Sequence, residues 1–390
     1  MSGAIRGARI LTPDESIERG TVVFDDGGRI TEVGPGAGAP DGVEITDVQG
    51  LILVPGFIDL HVHGGGGYSL ATRDPEELRS YAQWVVAHGV TSFVPTICAG
   101  SVDEGLEFVR VAARATGSVA GGANVLGVNL EGPFVSPARR GALPKGWLAE
   151  PALTLVDGLM DTASGNLRLM TIAPEANGVD AIIESLRARG VVVSVGHTDA
   201  TYEESLGAFR GGASHVTHAF NGTRPFHHRD PGPVFAAIDS PHVTLEVIAD
   251  GVHLHPATVR TIVRAAGAER VALVTDAVPP AGMAEGGFRL GKEEAKIAGD
   301  RVLLPDGTLA GGAATMVRIV RNVVEWGAAS VSDAARMAST VPARILGLGW
   351  KGRIAPGFDA DLVALDSNLE VAMTWVAGRL VYTRSEERFN

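Results

Sequence analysis

From about residue 57 the chain repeats one alternation eight times, a short apolar run followed by a stretch with helical spacing. The runs are FIDLHVH (57–63), GVTSFVPTI (89–97), VLGVNLEG (125–132), LRLMTIAPE (167–175), VVVSVGH (191–197), ASHVTHAF (213–220), VTLEVIADG (243–251) and RVALVTDA (270–277). Most are rich in valine, isoleucine and leucine with little polar alternation, as parallel strands covered on both faces require. The intervening stretches read as helices. In 75–89 the residues Leu78, Tyr81 and Val85 share one face behind an opening proline, and 180–190 closes on glycine. Segments 201–212 and 256–267 follow the same pattern. Eight strands alternating with helices predict an α/β chain folded as a (β/α)8 TIM barrel.

The two ends differ from this repeat. Residues 1–54 carry short alternating runs (ARIL, GTVVFDD, GRITEVG), and 346–390 carry KGRIAPGFDADLVALD and VAMTWVAGRLVYTR. Neither end is long enough to bury a good core alone, so they are expected to pair into one small β-sandwich beside a barrel of residues 55–345. The glycine-rich excursion at 281–312 is expected to border the site.

Charge and cysteine usage narrow the partners. A net charge of −12 argues against nucleic acid, whose phosphates it would repel. No stretch of eighteen apolar residues suggests a membrane span. The opening MSGAIRGARILTPDES has no signal-peptide pattern, and the single cysteine, Cys98, suits a reducing cytoplasm. In its apolar run FVPTICAG, Cys98 reads as a buried structural thiol.

Barrels of this kind build their sites at the carboxyl ends of the strands. Metal-capable or acidic residues fall there: His61 and His63 on the first strand, Glu131 on the third, His197 on the fifth, His218 on the sixth and Asp276 on the eighth. His61 and His63 are two apart, so their rings share a side of the strand. Imidazoles pointing together into a barrel suit a divalent ion. Glu131 ends an apolar run, where a buried carboxylate needs a cation or strong donors. His215, of opposite parity to His218, reads as structural.

The segments PGFIDLHVHG, LGVNLEGPF, SVGHTDA, THAFNGTRPFHHRDPG, ADGVHLHP, VTDAV and GTLAGGAATM together resemble the N-acetylglucosamine-6-phosphate deacetylases of the amidohydrolase superfamily. The resemblance spans essentially the whole chain. It implies a barrel with a small sandwich, a homodimer, and hydrolysis of the acetamide of N-acetyl-D-glucosamine 6-phosphate. It implies that Glu131, His197 and His218 are the main metal ligands, with a second ion possible because His61 and His63 are kept. Zinc is the leading metal, with iron or another divalent ion as alternatives. Asp276 matches the catalytic acid/base. Asn221 and Gly222 match a sugar-phosphate loop, and Arg229 an arginine that reaches the neighbouring subunit's substrate. Asp250 and His253 fall in a substrate-binding motif, and Leu309, Ala310 and Gly311 match a loop near the acetyl group.

One departure stands out. The family's lid segment, Gly-Ala-His-x-Pro, is here Gly141-Ala142-Leu143-Pro144. Losing an oxyanion donor costs roughly 10²–10³ in rate. Either the metal alone polarises the carbonyl, or Lys145 or His255 substitutes, or the acyl group or sugar differs. N-acetylgalactosamine 6-phosphate or another anionic N-acyl amino sugar is therefore the alternative substrate. A dihydropyrimidinase-like amidase is disfavoured because the fourth strand has no lysine to carboxylate. The most distant alternative is a non-catalytic sugar-phosphate-binding barrel.

Overall fold

In the computed structural model, residues 2–12, 15–36, 42–290, 293–298 and 301–385 are described. Parts of the 1–54, 281–312 and 346–390 segments named above lie outside them. Nine strands run parallel in one sheet, the eight of the barrel (Phe57–Val62, Val90–Ile97, Val128–Glu131, Leu167–Ile172, Val192–Val195, His215–Val216, Thr244–Val247 and Val271–Leu273) and the two-residue Asn124–Val125 just ahead of the third. Registers such as Leu169↔Val192, His215↔Thr244 and Leu245↔Val271 carry the order round. The chain just beyond the eighth strand closes the circle against the first. The Asp276 N–H donates to the His61 carbonyl at 2.9 Å, and the His63 N–H to the Ala277 carbonyl at 2.7 Å. Closure therefore places the first-strand histidines and Asp276 side by side, and Thr275 reinforces it by donating to the Asp59 carboxylate.

Helices cover the outside. The helix Pro75–Val85 starts where Asp74 accepts a hydrogen bond from the Glu76 N–H, and it buries Leu78, Tyr81 and Val85. The helix Tyr202–Gly211 is held at its start by a reciprocal pair, the Thr201 side chain with the Glu204 N–H and the Glu204 side chain with the Thr201 N–H. Ile58, Leu60, Leu169, Ala272 and Val274 pack with Val341 and Ala343 of the helix Thr340–Ile345 as a cluster distinct from the larger strand–helix core.

The two ends of the chain meet in a single eight-stranded sheet. Its spine runs from Arg379–Thr383 through Val371–Val376 and Leu362–Leu365 to Ile52–Pro55, then to Gly3–Leu11, Ser16–Phe24 and Ile30–Pro35. Glu44–Asp47 pairs alongside Gly3–Leu11. Ile5, Ile10, Leu53, Leu362 and Trp375 form its own core. The excursion after the eighth strand folds as four antiparallel strands ending at Leu309–Gly312. That last strand returns to the barrel mouth, where the Gly312 N–H donates to the Asp276 carbonyl at 2.6 Å.

Candidate metal centre

Glu131, the last residue of the third strand, is the hub. Its Oε1 lies 2.9 Å from His197 Nε2, 2.9 Å from His218 Nε2 and 3.4 Å from His61 Nε2, and its Oε2 lies 3.4 Å from His63 Nε2. Asp276 Oδ1 lies 3.2 Å from His63 Nε2 and 3.5 Å from His61 Nε2. The structure thus brings together the six residues of the expected cage. His61 with Glu131 and His218, and His61 with His63 and Asp276, form groups whose ligand atoms lie within 4.8 Å of one another.

The backbone bends sharply to do this. His197, His218 and Asp276, each just past its strand, have positive φ of 46°, 25° and 47°. Such conformations cost on the order of 1–3 kcal/mol each for residues other than glycine, and they turn side chains inward from the ends of parallel strands. Gly222 is required beside them: its φ is +56°, and a Cβ there would lie 2.8 Å from His197 Nδ1.

Hydrogen bonds outside the cage decide which nitrogens face in. His197 Nδ1 is 2.9 Å from the Arg139 carbonyl, which only accepts, so Nδ1 carries the proton and Nε2 presents a lone pair. His61 Nδ1 is 3.0 Å from Glu246 Oε2, leaving His61 Nε2, fully buried and without a hydrogen-bond partner, aimed at Glu131 and Asp276. His218 Nε2 sits 3.1 Å from His197 Nε2. Two imidazole nitrogens and a carboxylate oxygen converging at such distances repel unless a proton or cation lies among them. A divalent ion satisfies all of them, and imidazole and carboxylate are suitable donors for it. The residues present fit a metal.

Charge is concentrated accordingly. Burial pushes the Glu131 carboxyl up, but His197 and His61, with hydrogen bonds from His197 and His218, outweigh it and hold the group well below the usual carboxylate range. Asp276 follows the same pattern, lowered by His63 and His61 against burial. Burial opposes the charged form of His61, but Glu246 and Glu131 raise its pKa; for His63 the raising partners are Asp276, Cys98 and Glu131. Proton and metal compete for these nitrogens.

The other expected residues are spread round this centre. His253 Nε2 stands 3.8 Å from Asp276 Oδ2, and Asp250 fixes its ring through a 2.7 Å contact to Nδ1 and accepts the His253 N–H at 2.8 Å. Asn221 and Gly222 follow His218, with Asn221 Nδ2 bonded back to the His218 carbonyl. Leu309, Ala310 and Gly311 lie in the strand paired to the Asp276 backbone. Ala142 is exposed, whereas Leu143 is buried as part of the main core. Arg229 occupies an exposed turn closed by mutual backbone bonds of His227 and Asp230, its guanidinium on His228. Among the described residues its side chain meets neither Glu131 nor Asp276.

Three residues here were not foreseen from sequence. Glu246, inside the seventh strand, accepts from His61 Nδ1, His215 Nε2 and the His218 N–H at 3.0–3.1 Å. Trp147, fully buried, donates its indole N–H to the Glu131 carbonyl at 2.7 Å. Cys98, expected to be purely structural, has its Sγ grouped with His63 and Glu131. Its position just past the second strand was the available signal.

A buried cluster of histidines and carboxylates at the carboxyl mouth of a parallel barrel defines a metal-dependent hydrolase. Residues 52–381 match the amidohydrolase family, and the chain belongs to that family, whose members are metal-dependent hydrolases of carbon–nitrogen bonds. The chain is 34% identical over 386 residues to the N-acetylglucosamine-6-phosphate deacetylase of Bacillus subtilis (strain 168), covering 98% of each. It is 35% identical over 381 residues to the N-acetylgalactosamine-6-phosphate deacetylase of Escherichia coli O157:H7, covering 97% of this chain and 99% of that one. Among solved structures, a mutant of the Mycobacterium smegmatis N-acetyl-D-glucosamine-6-phosphate deacetylase in complex with N-acetyl-D-glucosamine-6-phosphate superposes with a TM-score of 0.90 at 35% identity, over 98% of this chain and 100% of that one. Among the described residues no helix is long and apolar enough to cross a membrane.

Proposed function

We propose that the chain hydrolyses the acetamide of N-acetyl-D-glucosamine 6-phosphate to D-glucosamine 6-phosphate and acetate. The observation that carries this is Asp276, its two oxygens divided between the His61–His63 pair and His253 beside the Glu131 hub. Glu131, His197 and His218 would hold one divalent ion and His61 and His63 help hold a second, with zinc the leading candidate. When bound, such an ion polarises a carbonyl and brings the pKa of a water molecule down to about 7.

The chain's own residues do the rest. Asp276, ionised at neutral pH because His63 and His61 favour its charge, takes a proton as water oxygen attacks the acetyl carbon. When the carbon–nitrogen bond breaks, the same carboxyl returns that proton to the sugar nitrogen; the second proton of the water, left on the new acetic acid, passes to the amine, so acetate and ammonium leave in balance. Asp250 fixes the ring of His253, which presents Nε2 to Asp276 and to the substrate. Asn221 and Gly222 grip the sugar phosphate, and Ala142, Leu143 and the Leu309–Gly311 strand line the acyl side. Arg229, exposed and away from its own cage, completes the phosphate grip of a neighbouring copy in a homodimer. We place the protein in the cytoplasm, where a lone thiol stays reduced.

A second reading, the galactosamine epimer as substrate, is favoured by the near-equal similarity to the galactosamine-type relative and by Leu143. Turnover on both N-acetylhexosamine 6-phosphates and on unphosphorylated N-acetylglucosamine, with metal quantified in the same preparation, tests both. Fastest turnover on the gluco-phosphate is expected. Preference for the galacto-phosphate would move the assignment to the second reading, and hydrolysis of none with metal fully loaded would overturn both.

A further inference from the structure

We infer that Cys98 is a metal ligand, supplying a thiolate to the first-strand ion position with His63 and the shared Glu131. The inference rests on the cage being a hydrolytic metal centre, as proposed above, and adds a donor of a different chemical kind. Cys98 follows directly after the second barrel strand, Val90–Ile97, between the strands that carry His63 and Glu131. Its Sγ, a His63 ring nitrogen and a Glu131 carboxylate oxygen all lie within 4.8 Å of one another.

A second observation points to a cation on this side. His61 Nε2 is buried, without a hydrogen-bond partner and 3.4 Å from Glu131 Oε1, with its other nitrogen already committed to Glu246. Metal–sulfur and metal–nitrogen bonds of about 2.3 and 2.0–2.1 Å at tetrahedral angles set donors roughly 3.3–3.8 Å apart. Atoms grouped within 4.8 Å of one another can draw together onto a shared ion at those spacings. His61, His63, Cys98 and Glu131 would then make a four-donor set with two imidazoles, one thiolate and one carboxylate. Binding releases the Cys98 proton to solvent as the sulfur–metal bond forms. A soft sulfur donor also biases this position toward zinc, cobalt or iron over magnesium or calcium.

The test uses the full chain, stripped with chelator and titrated with cobalt(II). Two equivalents are expected to bind, the second bringing a sulfur-to-cobalt charge-transfer band in the near ultraviolet. Cys98→Ser and Cys98→Ala should both lose the band and bind the second equivalent at least tenfold more weakly, with the first unchanged. A second equivalent that binds the unaltered protein without the band would overturn the inference, and so would variants that hold two equivalents as tightly. That readout needs no variant to fold. A single equivalent without the band would overturn the Cys98 role and leave the deacetylase reading standing. No binding at all would overturn both.

Discussion

The barrel mouth and the terminal sheet each bury a cluster of charged side chains, and they balance those charges differently. In the terminal segment, Lys351 Nζ lies 2.5 Å from Asp361 Oδ2 and 2.9 Å from Asp359 Oδ2. The other oxygen of Asp361 accepts the Ala377 N–H at 2.8 Å, and that of Asp359 meets Arg29 Nη1 at 3.0 Å. Two cations face two carboxylates, and the oxygens of both are engaged. At the barrel mouth, by contrast, carboxylates and lone pairs converge on one another, and His61 Nε2 has no hydrogen-bond partner. A closed cluster of the first kind fixes geometry; an open one of the second kind is a set of ligands. Burial alone does not separate them, since Lys351 and Asp361 are buried as Glu131 and His61 are. What separates them is whether the donors and acceptors are satisfied within the protein.

The largest effect should come from the open cluster. Asp276→Asn keeps the shape of the side chain but removes its basicity, so kcat should fall about 10²–10⁴-fold while metal content is unchanged. Retained turnover with metal bound would mean that Asp276 belongs with the structural charges. Next, Lys351→Met leaves Asp359 and Asp361 facing each other and should destabilise the fold by about 3–5 kcal/mol in urea denaturation, with metal content intact. Metal loss in that variant would show that the two clusters are coupled and break the contrast. The ammonium's pKa is opposed by burial but raised overall above 10.5 by Asp361 and Asp359. A raised lysine stabilises fully below its unfolded value, and that stabilisation disappears as pH climbs past 10.5 through the higher folded value. Alkaline titration of stability should therefore show a loss in the unaltered protein that Lys351→Met lacks.

These contrasts also explain what the sequence could tell. The barrel was legible because near-continuous apolar runs with helical spacers admit few other folds, and the cage because its residues sit at the strand ends where such folds gather chemistry. Glu246 was not legible. It lies in the apolar run VTLEVIADG, and nothing local says that its carboxylate meets residues from the first and sixth strands. Only barrel closure creates that contact. Leu143 was legible as a departure from a motif, but its burial in the main core was not, because side-chain direction in a loop has no period to reveal it. Arg229 marks the remaining boundary: a residue expected to act on another copy shows only an exposed turn within its own.

Glu246 belongs to neither extreme, and it yields the next prediction in size. It is satisfied like the closed cluster but supports the open one, its carboxyl held below the usual range by His61 and His215 against the cost of burial. Glu246→Gln leaves one oxygen with two lone pairs for three donors and removes the negative charge beside His61, so at least one of the three loses its acceptor and His61 should be held less firmly. Metal affinity should drop about 10–100-fold, with a smaller change in kcat at saturating metal. An unchanged affinity would make Glu246 a packing residue only.

The smallest effect tests how closed the terminal cluster is. Arg29 reaches Asp359 at 3.0 Å, but its side chain is 43% exposed, and water can replace much of what it supplies. Exposed pairs of this kind contribute no more than about 1 kcal/mol, because solvent screens the attraction and the long side chain loses freedom in holding one geometry. Arg29→Ala should therefore cost far less than Lys351→Met in the same denaturation experiment, and added salt should shrink the difference further. If the two losses proved equal, Asp359 would depend on Arg29 as much as on Lys351. The cluster would then be a four-member network rather than a buried lysine with two carboxylates and a solvent-screened neighbour.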